Sequence, residues 1–265
     1  MATYWSEPWN FIDPVYGPLY NARLSASWTQ RITGIVSNPM KKTLSSLLAC
    51  AFAMPVAVWA QGAGPSGTVE AGERKVAMCI GCHGIPGYQA SFPEVHKVPM
   101  ISGQAAGFIA ASLAAYRKGD RRHPTMRSIA TSLTDQDIAD VAAFYAAQGR
   151  VEGTSVPATA AAPSSSAVTA LLQKGACVSC HGNNFNTPID ANTPKIAGQY
   201  ADYLFVALKA YKTDGNRLVG RSNPVMAGQA KQFSNAELKA IAEYVASLPG
   251  ELKTVPQERV HAATR

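Results

Sequence analysis

The sequence predicts an all-α fold made of two similar halves. A long internal repeat supports this prediction, and so do apolar residues at spacings of three and four in both copies, with no convincing alternating strand pattern. Only 15% of the 265 residues are charged and alanine is abundant, which favours helices of small residues. The 47% hydrophobic content excludes disorder throughout the chain. Because only one apolar stretch is long enough to matter, a polytopic membrane protein is also excluded.

The internal repeat divides the chain into two domains of similar length. Three segments of the first half recur in the second at offsets of 98, 95 and 100 residues: 79–84 with 177–182, 99–104 with 194–199, and 123–126 with 223–226. Residues 151–167 are rich in Ala, Pro, Ser and Thr and are predicted to be a linker. We therefore expect one domain over residues 67–150, a second over 168–250, and a C-terminal tail over 251–265.

Each half is predicted to contain three helices. The first helix is expected from residue 68 into Cys79, and from residue 168 into Cys177. The second is expected over residues 105–116 and 201–211. The third begins after a capping box, Thr134 with Asp137 in the first half and Ser234 with Glu237 in the second, and continues with an apolar stripe.

The N-terminal 60 residues are typical of an export signal that follows an extension. Met40 precedes two lysines and then residues 43–60, which carry no charge and end in Val58-Trp59-Ala60, with small or branched residues where signal peptidase requires them. We predict that Met40 is the true start, that residues 1–39 are an upstream extension, and that cleavage follows Ala60. An uncleaved membrane anchor and a lipoprotein signal at Cys50 are the alternatives. Under all three interpretations the rest of the chain is exported.

The chemistry of the repeat lies in two Cys-x-x-Cys-His motifs. Two thiols three positions apart can each add to a vinyl group of one porphyrin, and the following histidine can bind its iron. A thiol redox pair or half a zinc site are the alternatives for one motif, but two motifs in a repeated helical context in an exported chain favour haem. The sequence therefore predicts two covalently bound haem c groups. The attachment residues are Cys79, Cys82, Cys177 and Cys180, and the proximal iron ligands are His83 and His181.

The sixth iron ligand is predicted by elimination among the methionines. After cleavage the second half contains Met226 alone, and its other histidine, His261, lies in the tail. Met226 is therefore the expected ligand, and Met126 is its counterpart in the first half. Met78 adjoins an attachment cysteine and cannot reach the opposite face of the haem, and Met100 aligns with Lys195 and is interpreted as a core or haem-contact residue. His96 and His123 are the remaining competitors.

The combined pattern resembles the cytochrome c4 family, the bacterial dihaem class I cytochromes c. It consists of two Cys-x-x-Cys-His motifs, each followed by Pro-x-x-x-Gly-Gln, an Asn/His-Pro-x-Met element and a capped helix, over residues 67–250. The resemblance implies two tandem class I cytochrome c domains with facing haem edges, and a His and a Met on each iron. It also implies electron transfer to membrane oxidases in the periplasm. The first half departs from the pattern in a longer segment before Pro99.

Function is predicted from these motifs as one-electron transfer without a bound substrate, so no catalytic residue is assigned. The expected partners are redox proteins, namely a cytochrome bc-type donor and a terminal oxidase or dehydrogenase, with loose inner-membrane association of the carrier. The alternatives are a dihaem subunit of a sulfide- or alcohol-oxidising dehydrogenase, and a haem peroxidase, which needs an open sixth position.

Basic residues cluster beside both methionine elements, which are predicted to be loops: Arg117, Lys118, Arg121, Arg122, Arg127, Lys209, Lys212, Arg217 and Arg221. They are interpreted either as a solvated or propionate-pairing face, or as a docking surface for an acidic redox partner. Nucleic-acid binding is a poor use of this charge in an exported haem protein, and none is expected.

Overall fold

The computed structural model describes residues 65–149 and 155–257. The first repeat contains five helices: α1 (Val69–Glu73), α2 (Ala77–His83), α3 (Ala106–Lys118), α4 (Pro124–Thr131) and α5 (Asp135–Ala147). The second contains α6 (Ser166–Lys174), α7 (Val178–His181), α8 (Ala201–Lys212), α9 (Pro224–Lys231) and α10 (Asn235–Ser247). The helix-rich fold with two copies of one unit confirms the predicted class. The expected start at Met40, the cleavage after Ala60, and Cys50 and His261 lie outside the described residues.

Four two-residue strands form two small antiparallel ladders. Strand β1 (Gln89–Ala90) pairs with β2 (His96–Lys97) inside the first unit. Strand β3 (Arg121–Arg122) of the first unit pairs with β4 (Gly220–Arg221) of the second, with Arg121 opposite Arg221. The second ladder therefore joins the two units. Strands this short carry no alternating pattern, which is why the sequence did not predict them.

Both predicted capping boxes are present. The Asp137 backbone N–H donates to Thr134 Oγ1 at 3.1 Å, and Asp137 Oδ2 accepts from the Thr134 backbone N–H at 3.0 Å. Ser234 and Glu237 make the same reciprocal pair at the start of α10. Each box satisfies N–H groups that have no intrahelical partner, so α5 and α10 begin where the sequence predicts.

The first predicted helix of each unit is interrupted. In the first unit the break separates α1 from α2 and leaves Val76 3% exposed in the core, while the neighbouring Lys75 pairs with Asp137 and Asp140. In the second unit Ala176 has a φ of 44°, which ends the regular helical path before α7. The predicted uninterrupted helices over 68–79 and 168–177 are therefore wrong, because tertiary contacts turn the cysteine segment away from the first helix.

Each unit has its own core, formed where its last helix packs against the others. Helix α1 crosses α5 at Gly72, where a Cβ atom would lie 2.2 Å from the carbonyl oxygen of Asp140. The buried residues of the first core are Val76, Ile109, Leu113, Ala130, Ile138, Val141, Ala142, Phe144 and Tyr145. Those of the second are Phe185, Ala197, Leu204, Phe233, Leu238, Ile241, Ala242, Val245 and Leu248.

The end of the expected linker follows the surface of the second unit. The Ala160 backbone N–H donates to the Asn183 carbonyl at 2.9 Å, and Tyr244 Oη donates to the Ala161 carbonyl at 2.7 Å. The side chain of Asn184 also donates to the Pro157 carbonyl at 3.0 Å. These bonds attach this part of the segment to the loop that follows α7 and to Tyr244 on α10.

Candidate functional site

The two Cys-x-x-Cys-His motifs lie on short helices in equivalent places. Cys79, Cys82 and His83 lie on α2, whereas Cys177 caps α7, which contains Cys180 and His181. Helical spacing places the two cysteines of each motif on one side of a single turn. All four are free thiols and half-buried. Burial raises the pKa of Cys79 to about 11 and also raises that of Cys177, so both thiols are protonated at neutral pH.

Each motif histidine is held by a proline carbonyl. Nδ1 of His83 donates to the Pro99 carbonyl at 2.9 Å, and Nδ1 of His181 donates to the Pro194 carbonyl at 3.0 Å. Because a carbonyl only accepts, these bonds assign the proton to Nδ1 and leave Nε2 free to bind a metal. Burial lowers the pKa of both imidazoles, which keeps them neutral, as a metal ligand must be.

The two predicted methionine ligands lie on helices rather than in the expected loops. Met126 and Met226 are the third residues of α4 and α9, which begin at Pro124 and Pro224. The residue before each proline is the N-cap: the Met126 backbone N–H donates to His123 Nδ1 at 3.4 Å, and that of Met226 to Asn223 Oδ1 at 2.9 Å. A proline suits the first helical position, so this motif predicts a helix start that we interpreted as a loop.

The competing ligands have other contacts. His123 bonds at both nitrogens, since Nε2 also donates to the Phe92 carbonyl at 3.3 Å. His96 is 5% exposed, donates from Nδ1 to the Glu94 carbonyl at 2.8 Å, and stacks on Tyr203 of the second unit. Both backbone polar groups of Met100 bond to the side chain of Gln199. All three residues therefore have structural contacts between or beside the motifs.

The alternative of a zinc site has no support in the described residues. Among residues 65–149 and 155–257, no three His, Cys, Asp or Glu side chains are arranged to hold a metal ion. Neither Cys-x-x-Cys-His segment is therefore completed there into the four-ligand set of a structural zinc site. Within the same residues no helix is both long and apolar enough to cross a bilayer.

An unpaired cationic cluster lies where the two units meet. Arg121 stacks over Tyr116 at 4.7 Å, and Arg221 over Tyr211 at 5.3 Å. The Nε atoms of Arg121 and Arg122 are buried without a hydrogen-bond partner, and no carboxylate pairs with any of the three arginines in the described parts of the chain. Guanidinium groups that have no carboxylate partner favour a bound anion, so a cofactor that carries carboxylates, as haem does, fits the cluster.

Tyr203 adds a polar group to this cluster that sequence reasoning missed. Arg221 Nη2 donates to its hydroxyl oxygen at 3.2 Å. Burial acts to raise the pKa of Tyr203, but the Arg221 and Arg121 guanidinium groups outweigh it and lower the pKa to about 8. The repeat places Phe108 at the equivalent position, so a hydroxyl here belongs to the second unit alone. The difference between Phe108 and Tyr203 in the aligned repeats is the sequence signal that could have identified this hydroxyl.

The rest of the predicted basic surface is largely engaged within the chain. Arg117 pairs with Asp135, and Lys118 with Asp120. Lys209 pairs with Glu94 of the first unit. Lys212 donates to the Phe233 carbonyl at 2.6 Å. The positive charge beside the methionine helices is thus mostly used in ion pairs, in capping and at the junction of the units.

Comparison with known proteins identifies both units. The cytochrome c family model matches residues 69–146 and 166–249. Cytochrome c4 of Stutzerimonas stutzeri is 30% identical over 194 residues, which cover 69% of this chain and 90% of that protein. Cytochrome c4 of Thiocapsa roseopersicina is 31% identical, with 71% and 97% covered. The thiosulfate dehydrogenase electron acceptor of Stutzerimonas stutzeri (strain A1501) is 32% identical, with 68% and 83% covered.

The two family matches coincide with the two repeated units, and each match contains one Cys-x-x-Cys-His helix. The cytochrome c4 relatives are matched over nine-tenths or more of their length, so the resemblance extends across both units. The chain belongs to the cytochrome c4 family, as an electron carrier with two tandem cytochrome c units that each bind one haem c covalently.

Proposed function

We propose that this protein is a periplasmic one-electron carrier in which each iron has one histidine and one methionine ligand. Cys79 and Cys82 would attach the first haem, and His83 and Met126 would bind its iron. Cys177, Cys180, His181 and Met226 would hold the second haem in the same way. The observation that carries the proposal is the bond from Nδ1 of both motif histidines to a proline carbonyl, which reserves Nε2 for iron in each unit.

The protein contributes iron ligands that are held in place and an apolar environment with little water. Bound haem supplies the chemistry, since its iron can accept and release one electron. His83 and His181 are held by backbone carbonyls, and Met126 and Met226 lie in the first turn of capped helices. Ligands held in this way keep their geometry when the charge changes, and the two apolar cores limit the water that must reorganise.

The junction of the units supports transfer within one molecule. The β3–β4 ladder and the glutamine bonds around Met100 and Lys195 hold the units in one arrangement. We assign Arg121 and Arg221 at this junction to the carboxylates of the bound groups, because no protein carboxylate pairs with either guanidinium group among the described residues and the Nε atom of Arg121 is buried without a hydrogen-bond partner. The junction would thereby keep a constant spacing between the two redox centres.

The cellular context of the proposal comes from the N-terminal sequence. Export from Met40 with cleavage after Ala60 would deliver both units, residues 67–150 and 168–250, to the periplasm, where haem c is attached. The partners would be other redox proteins, such as a cytochrome bc-type donor and a terminal oxidase. No catalytic residue is needed for this exchange.

Carbon monoxide binding tests the ligand assignment. In the reduced protein, Met126→Ala and Met226→Ala should each open one iron, so each variant should bind one carbon monoxide per chain and the double variant two. Met100→Leu is the matched control and should bind none, like the parent protein. If either alanine variant bound none while Met100→Leu bound one, the methionine assignment in that unit would be wrong.

A second candidate function is that of electron acceptor for one particular dehydrogenase. The relative from Stutzerimonas stutzeri that is named a thiosulfate dehydrogenase electron acceptor favours it. Reduction of this protein by a purified thiosulfate-oxidising enzyme, compared with reduction by a quinol-oxidising bc-type complex at equal concentration, separates the two functions. Faster reduction by the bc-type complex supports the respiratory carrier, whereas reduction by the dehydrogenase alone supports the second candidate.

A further inference from the structure

The two units differ at one buried position of their last helix. Tyr145 on α5 is 2% exposed, and its hydroxyl has no hydrogen-bond partner among the described residues. The equivalent residue on α10 is Val245, which is also 2% exposed. The two positions correspond because the carbonyl of each accepts a bond from the glycine of a Gly-Gln pair, Gly103 at 2.8 Å and Gly198 at 3.1 Å.

A buried hydroxyl without a partner is costly, and its presence in only one unit calls for an explanation. Phe144 fixes the ring from one side, with the ring centroids 5.2 Å apart and nearly perpendicular. The Cys79 side chain packs against the same core and faces the Tyr145 hydroxyl. The polar end of this tyrosine is therefore directed at the sulfur that anchors the first haem.

The state of that sulfur decides what the hydroxyl can do. A free thiol is both a weak donor and a weak acceptor, whereas a thioether has no S–H and can only accept. Attachment at Cys79 would thus turn the sulfur into a partner that needs a donor, and the Tyr145 O–H is the unused donor beside it. Val245 offers no such group to Cys177 in the second unit.

We propose that Tyr145 is a positioning residue that sets the reduction potential of the first haem by donating a hydrogen bond to the thioether sulfur of Cys79. The inference rests on the proposed haem attachment at Cys79. A donor at this sulfur withdraws electron density from the porphyrin edge and so favours the ferrous state. The second haem is unaffected, because its unit has no hydroxyl at this place.

The test compares Tyr145→Phe with Tyr244→Phe. Both variants remove only a hydroxyl, but the Tyr244 hydroxyl bonds to the Ala161 carbonyl and serves as the control. Covalent haem is measured first by the pyridine haemochrome assay. Fewer than two haems per chain in the parent protein would refute the proposed function itself, so that result is distinguished from a failure of the Tyr145 inference.

With two haems present, a redox titration followed by NMR of the haem methyl signals resolves the two centres. At a fixed ambient potential, Tyr145→Phe should lower the ferrous-to-ferric ratio of the first haem by about threefold, as loss of one neutral hydrogen bond would. The second haem and the Tyr244→Phe variant should match the parent protein. The carbon–sulfur stretch of one thioether should also shift in the resonance Raman spectrum of Tyr145→Phe.

An unchanged first haem in a folded Tyr145→Phe protein would overturn the inference. An equal shift of both haems would also overturn it, because it would indicate a general change in packing. Loss of methionine ligation in the first unit would have the same consequence, since the potential would then have moved for another reason.

Discussion

Gln104 and Gln199 each bind the backbone of the other unit. Gln104 Nε2 donates to the Lys195 carbonyl at 2.9 Å, and Gln199 Nε2 donates to the Met100 carbonyl at 2.8 Å. Each side-chain carbonyl also accepts from the opposing backbone N–H, at 3.0 Å from Lys195 and 3.1 Å from Met100. Both glutamines are about 95% buried. The glutamines of the two Gly-Gln pairs therefore hold the two units together through reciprocal hydrogen bonds, and we call this set of bonds the glutamine lock.

Substitution of this lock should destabilise the protein. Gln104→Ala leaves two half-buried backbone groups at Lys195 without their partner, so the free energy of unfolding should fall by about 1–3 kcal/mol. Urea denaturation measures the change. Gln232→Ala, which removes an exposed side chain that bonds only within α9, is the control and should change little. Equal stability of the two variants would contradict the lock.

The close crossing of α1 and α5 should tolerate no side chain at Gly72. A Cβ atom there would lie 2.2 Å from the Asp140 carbonyl oxygen and 2.5 Å from the Phe144 Cβ, so the helices must separate. Gly72→Ala should therefore cost about 1–3 kcal/mol of unfolding free energy. Gly228→Ala on α9 meets no atom within 4 Å and should be neutral or stabilise by about 0.5–1 kcal/mol. Thermal denaturation distinguishes the two outcomes, and a harmless Gly72→Ala would show that the crossing is loose.

Acid should weaken the first unit through Asp140. The hydrogen bond from Lys75 and that from the Thr68 backbone N–H hold the pKa of this carboxyl below its ordinary value of 3.8. A depressed folded-state pKa adds stability above about pH 4, and that stability is lost as the pH falls through the folded value. Asp140→Asn keeps an acceptor for Thr68 but removes the ion pair.

The melting temperature of Asp140→Asn should therefore lie below that of the parent protein at neutral pH, and the gap should narrow as the pH falls below about 4. Asp135→Asn provides the comparison, because the side chain of Asp135 is 72% exposed and its pair with Arg117 is screened by solvent. A gap for Asp140→Asn that stayed constant down to about pH 2 would show that its effect is not electrostatic.

The strand pair between the units should depend on Gly220. This residue has a φ of 146°, and a Cβ there would lie 2.2 Å from Arg122 Nη2. Gly220→Ala should cost about 1–3 kcal/mol of unfolding free energy from the backbone conformation and should also displace the arginine. Gly215 has a φ of 71°, and a Cβ there would meet no atom within 4 Å. Gly215→Ala therefore measures the loss of stability that comes from the backbone conformation alone. If both variants lost the same stability, the contact between Arg122 and Gly220 would contribute nothing.

Most residues of the candidate site could be predicted from the sequence, because the motifs that indicate them are local. Cys79, Cys82 and His83 lie within one turn, and the repeat identifies their counterparts, whereas Met226 is predicted by elimination within the second unit. The helical start at Pro124 was missed because proline was interpreted as part of a loop, although His123 caps the helix.

Features that depend on tertiary contacts were beyond local patterns. Arg121 and Arg221 belong to a basic run that is typical of a solvated face, yet the β3–β4 ladder places them side by side. The break after α1 likewise follows from the burial of Val76 and the pairing of Lys75 with α5, which no spacing rule encodes.

The optical spectrum of the exported ferric protein tests the central claim most directly. A weak charge-transfer band in the far red reports methionine sulfur on ferric haem. The account predicts this band at a strength that matches two haems per chain, from Met126 and Met226. A band of half that strength, or none, in a protein with two covalent haems would contradict the claim that both units bind iron through histidine and methionine.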